Sequence, residues 1–401
     1  MRILWIKAGG VLPLDAGGRI RSYHLLRQLS LKHDITLFTF FPRRADGSHS
    51  ELREMLREVV CVPLDLPSVR SFRGFVDYVA FAASLRPYTM AKYYRPETVH
   101  SFARLVQSQT FDLWLCDFVY PAEIIPWDAP YPKVIFAHNV EAQVWERCSR
   151  TTRNPLLSLA TWCEYRTMAR AEKFYVQKAD HLLTVSEPDR SFFSQYFDTR
   201  KITVIPTGVD TDYFRPSPTT GTPNSLVFTG SMDWLPNEDG ASYLLNELLP
   251  RIRSHIPDVT VWIAGRNPSA SIQALAARNG ARITGSVDDI RPYIRDTAVC
   301  VVPLRIGGGT RLKIFEAMAM GKAIVSTSIG AEGLPVTDEE NILIRDNPDE
   351  FAFSVVRLLR SPSTRKSLGD KARTTVETRY RWEAVAAEFD SVLRKVVTQH
   401  A

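Results

Sequence analysis

A chain of 401 residues, 45% hydrophobic and 23% charged, has enough apolar mass for two cored domains, and its five scattered cysteines lack the spacing of a disulfide framework or a zinc site. The net charge of +6 sits in the first half, where residues 1–205 hold 27 basic and 21 acidic groups against 23 of each in residues 206–401; no nucleic-acid reading motif accompanies the excess. No window approaches about 18 consecutive apolar residues and the opening residues read as a buried strand and not as a secretory signal, so the composition points to a soluble cytosolic protein.

Residues 3–6 (ILWI) form a first strand, residues 7–18 (KAGGVLPLDAGG) a glycine-rich loop, and residues 19–31 an amphipathic helix with Ile20, Tyr23, Leu26 and Leu29 at near-helical spacing. Residues 35–40 form a second strand. This βαβ opening predicts a doubly wound sheet whose ligand edge lies at the carboxyl ends of the strands, where Gly17 and Gly18 fall. Glycines there either let a ligand approach the main chain or simply make a turn. Residues 51–60 fit a helix and residues 61–64 a short strand. Residues 69–104 then interleave Arg70, Arg73, Arg86, Lys92, Arg95 and Arg104 with Phe72, Phe75, Tyr78, Phe81, Tyr88, Tyr93 and Tyr94, against only Asp77 and Glu97. That mixture suits peripheral contact with an anionic membrane or a lipid-linked acceptor, and equally a helical insertion with a solvated face. Strands at residues 113–116 and 133–137 follow, the second running into His138-Asn139-Val140-Glu141. A histidine at the exit of a buried parallel strand stands at the ligand edge, where it can hydrogen-bond a substrate hydroxyl or polarise a leaving group; the plainer alternative is a histidine closing a loop.

Residues 155–179 form a long helix of mixed charge, residues 181–186 and 201–205 two further strands, and residues 214–224 (FRPSPTTGTPN) have linker composition. A second βαβ series starts at Ser225: apolar runs at residues 226–229, 259–264, 281–284, 299–302 and 323–327 each lead to glycine. Between the last two, Gly307, Gly308 and Gly309 permit positive φ and turn main-chain N–H groups into one concavity. Thr310 reads as an N-cap and residues 311–320 as a helix closed by Gly321. Arg311 and Lys313 at the positive end of that helix dipole are unfavourable unless an anion lies between, so the pattern points to a bound phosphate or diphosphate; a glycine turn with two solvated cations is the alternative. Neither a Walker loop nor a dinucleotide fingerprint is present. Residues 382–397 form a last amphipathic helix. The expected organisation is an α/β protein of two doubly wound, Rossmann-like domains facing a cleft: residues 1–205, residues 206–378, and a helix within residues 379–401 packing back across the hinge.

Several short motifs recur in a recognisable order: Gly17-Gly18-Arg19, His138-Asn139-Val140-Glu141, Val185-Ser186-Glu187, residues 205–210 (IPTGVD), Gly230, Ala264-Gly265, Gly285-Ser286-Val287, and the stretch from Gly307 to Gly321 with Phe315-Glu316-Ala317-Met318. Across nearly the whole chain they resemble the retaining GT-B glycosyltransferases of family 4. The resemblance implies transfer of a sugar from a nucleotide-diphosphate donor held by the second domain to an acceptor hydroxyl, on a glycan or lipid-linked acceptor, presented by the first. No metal-ligand cluster is evident among the residues, and neither a metal nor a cofactor is expected. By the same resemblance Glu316 takes the ribose hydroxyls, Gly285, Ser286 and Val287 the base, His138 lies against the transferred sugar, and Gly17 and Gly18 approach the diphosphate.

Two departures stand out. The quartet that opens with a glutamate in many relatives reads Gly308-Gly309-Thr310-Arg311, and Ser231 and Asn237 stand where relatives carry an arginine and a lysine on the diphosphate. Arg311 and Lys313 are therefore expected to replace those cations and to act catalytically with His138, making a divalent ion unnecessary. A non-catalytic sugar-nucleotide binder and a nucleotide-sugar 2-epimerase are the competing readings. The donor sugar, its base and the acceptor are not written in the sequence.

Overall fold

The computed structural model describes the chain apart from residues 15, 43–49, 68–70, 72, 75, 79–84, 152–153, 218–220, 307–310 and 401. Gly307, Gly308, Gly309 and Thr310 thus lie outside the described residues, as do Arg70, Phe72, Phe75 and Phe81. The chain forms two compact units, one of Met1–Pro206 with Trp382–Ala401, the other of Thr207–Arg381.

The first unit contains a parallel sheet of seven strands: β1 (Arg2–Ala8), β2 (Asp34–Pro42), β3 (Glu58–Leu64), β4 (Leu113–Asp117), β5 (Lys133–Phe136), β6 (His181–Thr184) and β7 (Ile202–Val204). Their order, β3-β2-β1-β4-β5-β6-β7, reverses between β1 and β4, which makes a topological switch point there. Alternation along β1 explains why the strand is apolar at each position from Ile3 to Ile6: Leu4 and Ile6 enter one core, Ile3 and Trp5 the other. The helix Trp382–His400 covers the second of these faces, with Phe389 5.9 Å from the Trp5 ring and Trp382 stacked on His24 at 4.8 Å.

The second unit holds six parallel strands, β8 (Thr222–Thr229), β9 (Thr260–Ala264), β10 (Arg282–Ile283), β11 (Thr297–Val302), β12 (Ala323–Ser326) and β13 (Leu343–Ile344), in the order β10-β9-β8-β11-β12-β13. Its switch point lies between β8 and β11. The register sets Thr229 beside Ala264 and Ile263 beside Ile283, so the glycines that follow these strands emerge close together.

Two doubly wound α/β units agree with the expected fold class. Several local expectations are corrected. The helix expected at residues 51–60 stops at Met55, because Glu58 and the β-branched residues after it are drawn into β3 beside β2. Leu343–Ile344 is a strand too short to give a periodic signal. The last helix of the glycine stretch begins at Leu312, with Arg311 and not Thr310 at the capping position. Arg86 and Arg95 of the basic aromatic segment are not solvated charges: Arg86 is bound bidentately by Glu123, and Arg95 donates to Asp77 at 2.9 Å. Tyr88 and Met90 are buried there.

Candidate active site

In the second unit the site is built where β8 and β9 end. Gly230 (φ 153°) and Gly265 (φ 156°) cross so closely that a Cβ on Gly265 would lie 1.8 Å from the Gly230 carbonyl oxygen. Only glycine fits that crossing. Gly285 (φ 69°) meets Gly265 in an antiparallel bridge; Ser286 beside it is exposed and Val287 half-buried.

Two cations converge on this crossing. From the helix Leu312–Ala319, the Lys313 ammonium fills the space above Gly230 and donates to Asn237 Oδ1 at 2.7 Å; Asn237 Nδ2 donates in turn to the Ser231 carbonyl at 2.8 Å. From the residue after Gly265, Arg266 Nε donates to Ser231 Oγ at 2.7 Å. Ser231 Oγ and Asn267 Nδ2 both donate to Asp233, at 2.5 and 2.9 Å. Burial opposes ionisation of that carboxyl, but these donors and the Arg266 charge hold its pKa below the usual range. Burial and the neighbouring Arg311 charge lower the Lys313 pKa to about 7 against the pull of Glu316, whereas burial raises Glu316 to about 7 despite Lys313. An anion entering here would restore the Lys313 charge. Arg311 is buried with its guanidinium 6.0 Å from the Trp234 ring.

The first unit has its own buried polar cluster at the β1/β4 switch point. Parallel register places Lys7 beside Asp117, their charged atoms 3.2 Å apart. Asp117 also accepts from Trp5 Nε1 at 2.8 Å and Ser22 Oγ at 2.6 Å, and its other oxygen lies 2.7 Å from His138 Nε2. Burial alone would raise the Asp117 pKa; Lys7, His138 and Ser22 together hold it well below the usual carboxylate range. His138 Nδ1 lies 2.8 Å from Arg21 Nη1. A guanidinium only donates, so Nδ1 is the acceptor and the imidazole proton resides on Nε2, facing Asp117. Burial first, then Arg21 and Lys7, depress the His138 pKa to about 3 although Asp117 acts the other way.

His138 was expected to hydrogen-bond a substrate; here Nδ1 accepts from Arg21, while Nε2 faces Asp117 at 2.7 Å without the alignment of a hydrogen bond. Its ring is stacked on Phe118 at 3.9 Å. A substrate group at Nδ1 would have to displace Arg21. Gly18 has a packing reason as well as a positional one, since a Cβ there would meet the Phe118 ring at 2.7 Å. Gly17 is exposed at the start of the helix Gly17–Leu29. Sequence reasoning missed Lys7, Arg21, Asp117 and Arg266. The available signal was a charged residue ending an apolar strand, as in Lys7 and Asp117, or directly following a strand-terminal glycine, as in Arg266.

Comparison with known proteins supplies the decisive observation. Residues 17–213 match the family model described as Glycosyltransferase Family 4, and residues 223–361 the model described as Glycosyl transferases group 1. The chain belongs to the group 1, family 4 glycosyltransferases. Among the relatives of this glycosyltransferase is an uncharacterized 44.6 kDa protein in the cps region of Klebsiella pneumoniae, 22% identical over 98% of this chain and 99% of that protein. A phosphatidyl-myo-inositol mannosyltransferase of Mycobacterium tuberculosis is 28% identical over 48% of this chain and 53% of its own. The solved sucrose-phosphate synthase of Thermosynechococcus elongatus superposes with a TM-score of 0.77 at 18% identity, covering 99% of both chains. Anabaena Alr3699/HepE in complex with UDP-glucose gives 0.69 at 13% identity over 98% of this glycosyltransferase and 100% of the other chain. Ser231 and Asn237 each hydrogen-bond a basic side chain brought from elsewhere in the unit.

Proposed function

We propose that this glycosyltransferase moves a sugar from a nucleoside-diphosphate donor to an acceptor hydroxyl with retention of configuration, the second unit holding the donor. The observation that carries the reading is the convergence of Lys313 and Arg266 on the Gly230–Gly265 crossing. Such a pair, beside the N-terminus of the helix Leu312–Ala319, suits a diphosphate. The solved UDP-glucose complex of a structural relative is consistent with it. Arg311, buried and close enough to depress Lys313, adds to the positive field. In this reading Glu316 binds the ribose hydroxyls, and Gly285, Ser286 and Val287 meet the base.

The reaction breaks the bond between the anomeric carbon and the diphosphate oxygen and forms one to the acceptor oxygen on the same face. The acceptor proton passes to the departing diphosphate. Lys313, Arg266 and Arg311 act by stabilising negative charge as it develops on that leaving group. In the first unit burial, with Arg21 at Nδ1, keeps His138 neutral, and its ring packs on the Phe118 that walls Gly18. The acceptor is a glycan or a lipid-linked sugar, a reading supported by the mannosyltransferase relative whose name specifies phosphatidyl-myo-inositol. Contact with an anionic membrane at the inner face of the cytoplasmic membrane follows from a lipid-linked acceptor. No described helix is long and apolar enough to cross a membrane.

Screening nucleotide sugars for thermal stabilisation identifies the donor, because a ligand that binds only the folded protein raises its apparent stability. With that donor saturating, Lys313→Ala and Arg266→Ala should each lose about 10²-fold in turnover, the magnitude of a removed transition-state donor. Parental rates for both would overturn the assignment. Sugar interconversion with donor alone would mark an epimerase, and stabilisation without any turnover a binding protein.

A further inference from the structure

The helices Glu141–Thr151 and Pro155–Lys178 form an antiparallel hairpin in the first unit. Near its turn the Ser158 hydroxyl donates to the Ser149 carbonyl at 2.8 Å; at its base the Glu172 carboxylate accepts from the Glu141 and Ala142 amides at 2.9 and 3.3 Å. The base lies at the exit of β5, three residues past His138. With a rise of about 1.5 Å per residue, the helix from Glu172 back to Pro155 places Pro155 about 25 Å from that exit.

One side of the longer helix is bare. Leu159, Trp162, Arg166, Arg170 and Lys173 recur at intervals of three or four and are all exposed, so they form one stripe. The stripe is ordered. Toward the turn it is apolar, with Leu156 80%, Leu157 54%, Leu159 58% and Trp162 49% exposed; toward the base it is cationic. The two acids of this helix face inward: Glu172 caps the neighbouring helix, and Glu164 accepts from the Tyr88 amide and from the amide and hydroxyl of Thr89. Among the described residues Arg166 and Arg170 have no carboxylate partner, and Arg166 lies over the Trp162 ring at 5.7 Å. Both line a cavity of about 240 Å³ together with Arg86, Tyr78 and Tyr88.

An apolar end, an indole, then unneutralised guanidinium groups, all within about 20 Å of helix, matches the layering of a lipid surface from acyl chains to phosphates. We propose that this hairpin is the surface on which the first unit docks to an anionic lipid bilayer, with Leu156, Leu157, Leu159 and Trp162 entering the headgroup boundary and Arg166 and Arg170 meeting lipid phosphates. The inference rests on the reading of the acceptor as membrane-linked, and it moves the contact from residues 69–104, whose Arg86 and Arg95 are paired internally, to the hairpin.

The test uses the full chain with vesicles of equal parts phosphatidylglycerol and phosphatidylcholine, and with pure phosphatidylcholine, in the absence of donor. Co-sedimentation should show at least tenfold tighter binding to the anionic vesicles. The double variant Arg166→Gln with Arg170→Gln should weaken it about thirtyfold, as expected for two cations near a charged membrane, and Leu157→Ser with Trp162→Ser should weaken it comparably. Thermal stabilisation by UDP should be unchanged in both variants, so a failure of donor binding and a failure of docking are read separately. Should these variants not fold, brominated lipid should quench the parent's fluorescence more than that of Trp162→Phe. Equal binding to both vesicle types, variants that bind like the parent, equal quenching with and without Trp162, or self-association of the parent that the serine variant abolishes without any vesicle binding would each overturn the proposal.

Discussion

Lys313 is the residue whose chemistry depends most on its surroundings. Half-buried above Gly230 and next to Arg311, it has a pKa of about 7, so a diphosphate that needs its ammonium form should bind less tightly as pH climbs through that value. The expected slope approaches about tenfold in affinity per pH unit for one linked proton, readable by calorimetric titration with the nucleoside diphosphate of the donor found in the screen. Lys313→Arg should remove most of the slope, because guanidinium stays charged throughout the range. The same groups act on folding. Lys313, depressed from 10.5, contributes stability that increases between about pH 7 and 10.5; Glu316, raised from 4.5, contributes stability that is lost between 4.5 and about pH 7. Sequence identified Lys313 through the dipole argument, which is local. It did not identify Arg266, whose partner Ser231 belongs to another strand exit and is close only after β8 and β9 pair. Nor did it show that Arg21 takes Nδ1 of His138 and that Asp117 faces Nε2, since the two reach it from a helix and a strand remote in sequence.

At the scale of elements, the helix Trp382–His400 shows how an amphipathic pattern becomes an address. Its apolar side, Val385, Ala386, Phe389, Leu393 and Val396, is buried against the face of the first sheet that holds Trp5 and Leu37. Phe389 makes ring contacts with both Trp5 and Phe136. Removing it leaves a void in a core with little freedom to collapse, and Phe389→Ala should cost about 3–5 kcal/mol in the first unit, measured by denaturant titration. The period of this helix was evident in the sequence, as were the strands, because burial on one or both faces imposes a repeat of 3.6 or a continuous apolar run. The basic aromatic segment misled for the converse reason. Composition does not reveal which arginines find carboxylates, and Glu123, the partner of Arg86, lies in a different element.

For the whole molecule, the chain leaves the first unit at Pro206 and re-enters it at Trp382, so its last helix belongs to the unit it began in. Deleting residues 382–401 should therefore strip the first sheet and lower its unfolding temperature, while stabilisation of the second unit by the nucleotide sugar found in the screen persists; calorimetry with and without that ligand separates the two. Loss of that stabilisation in the truncated chain would contradict the division. By itself the sequence determined the alternation of strands and helices, two doubly wound units in tandem, and the glycines at strand exits, because period, turn chemistry and positive φ are properties of a few neighbouring residues. Only the tertiary structure decided that Arg266 and Lys313 reach Ser231 and Asn237, that Arg21 and Asp117 flank His138, and that the hairpin bears the bare stripe. Those contacts follow from strand register and helix docking, which join residues far apart along the chain and leave no local repeat to read.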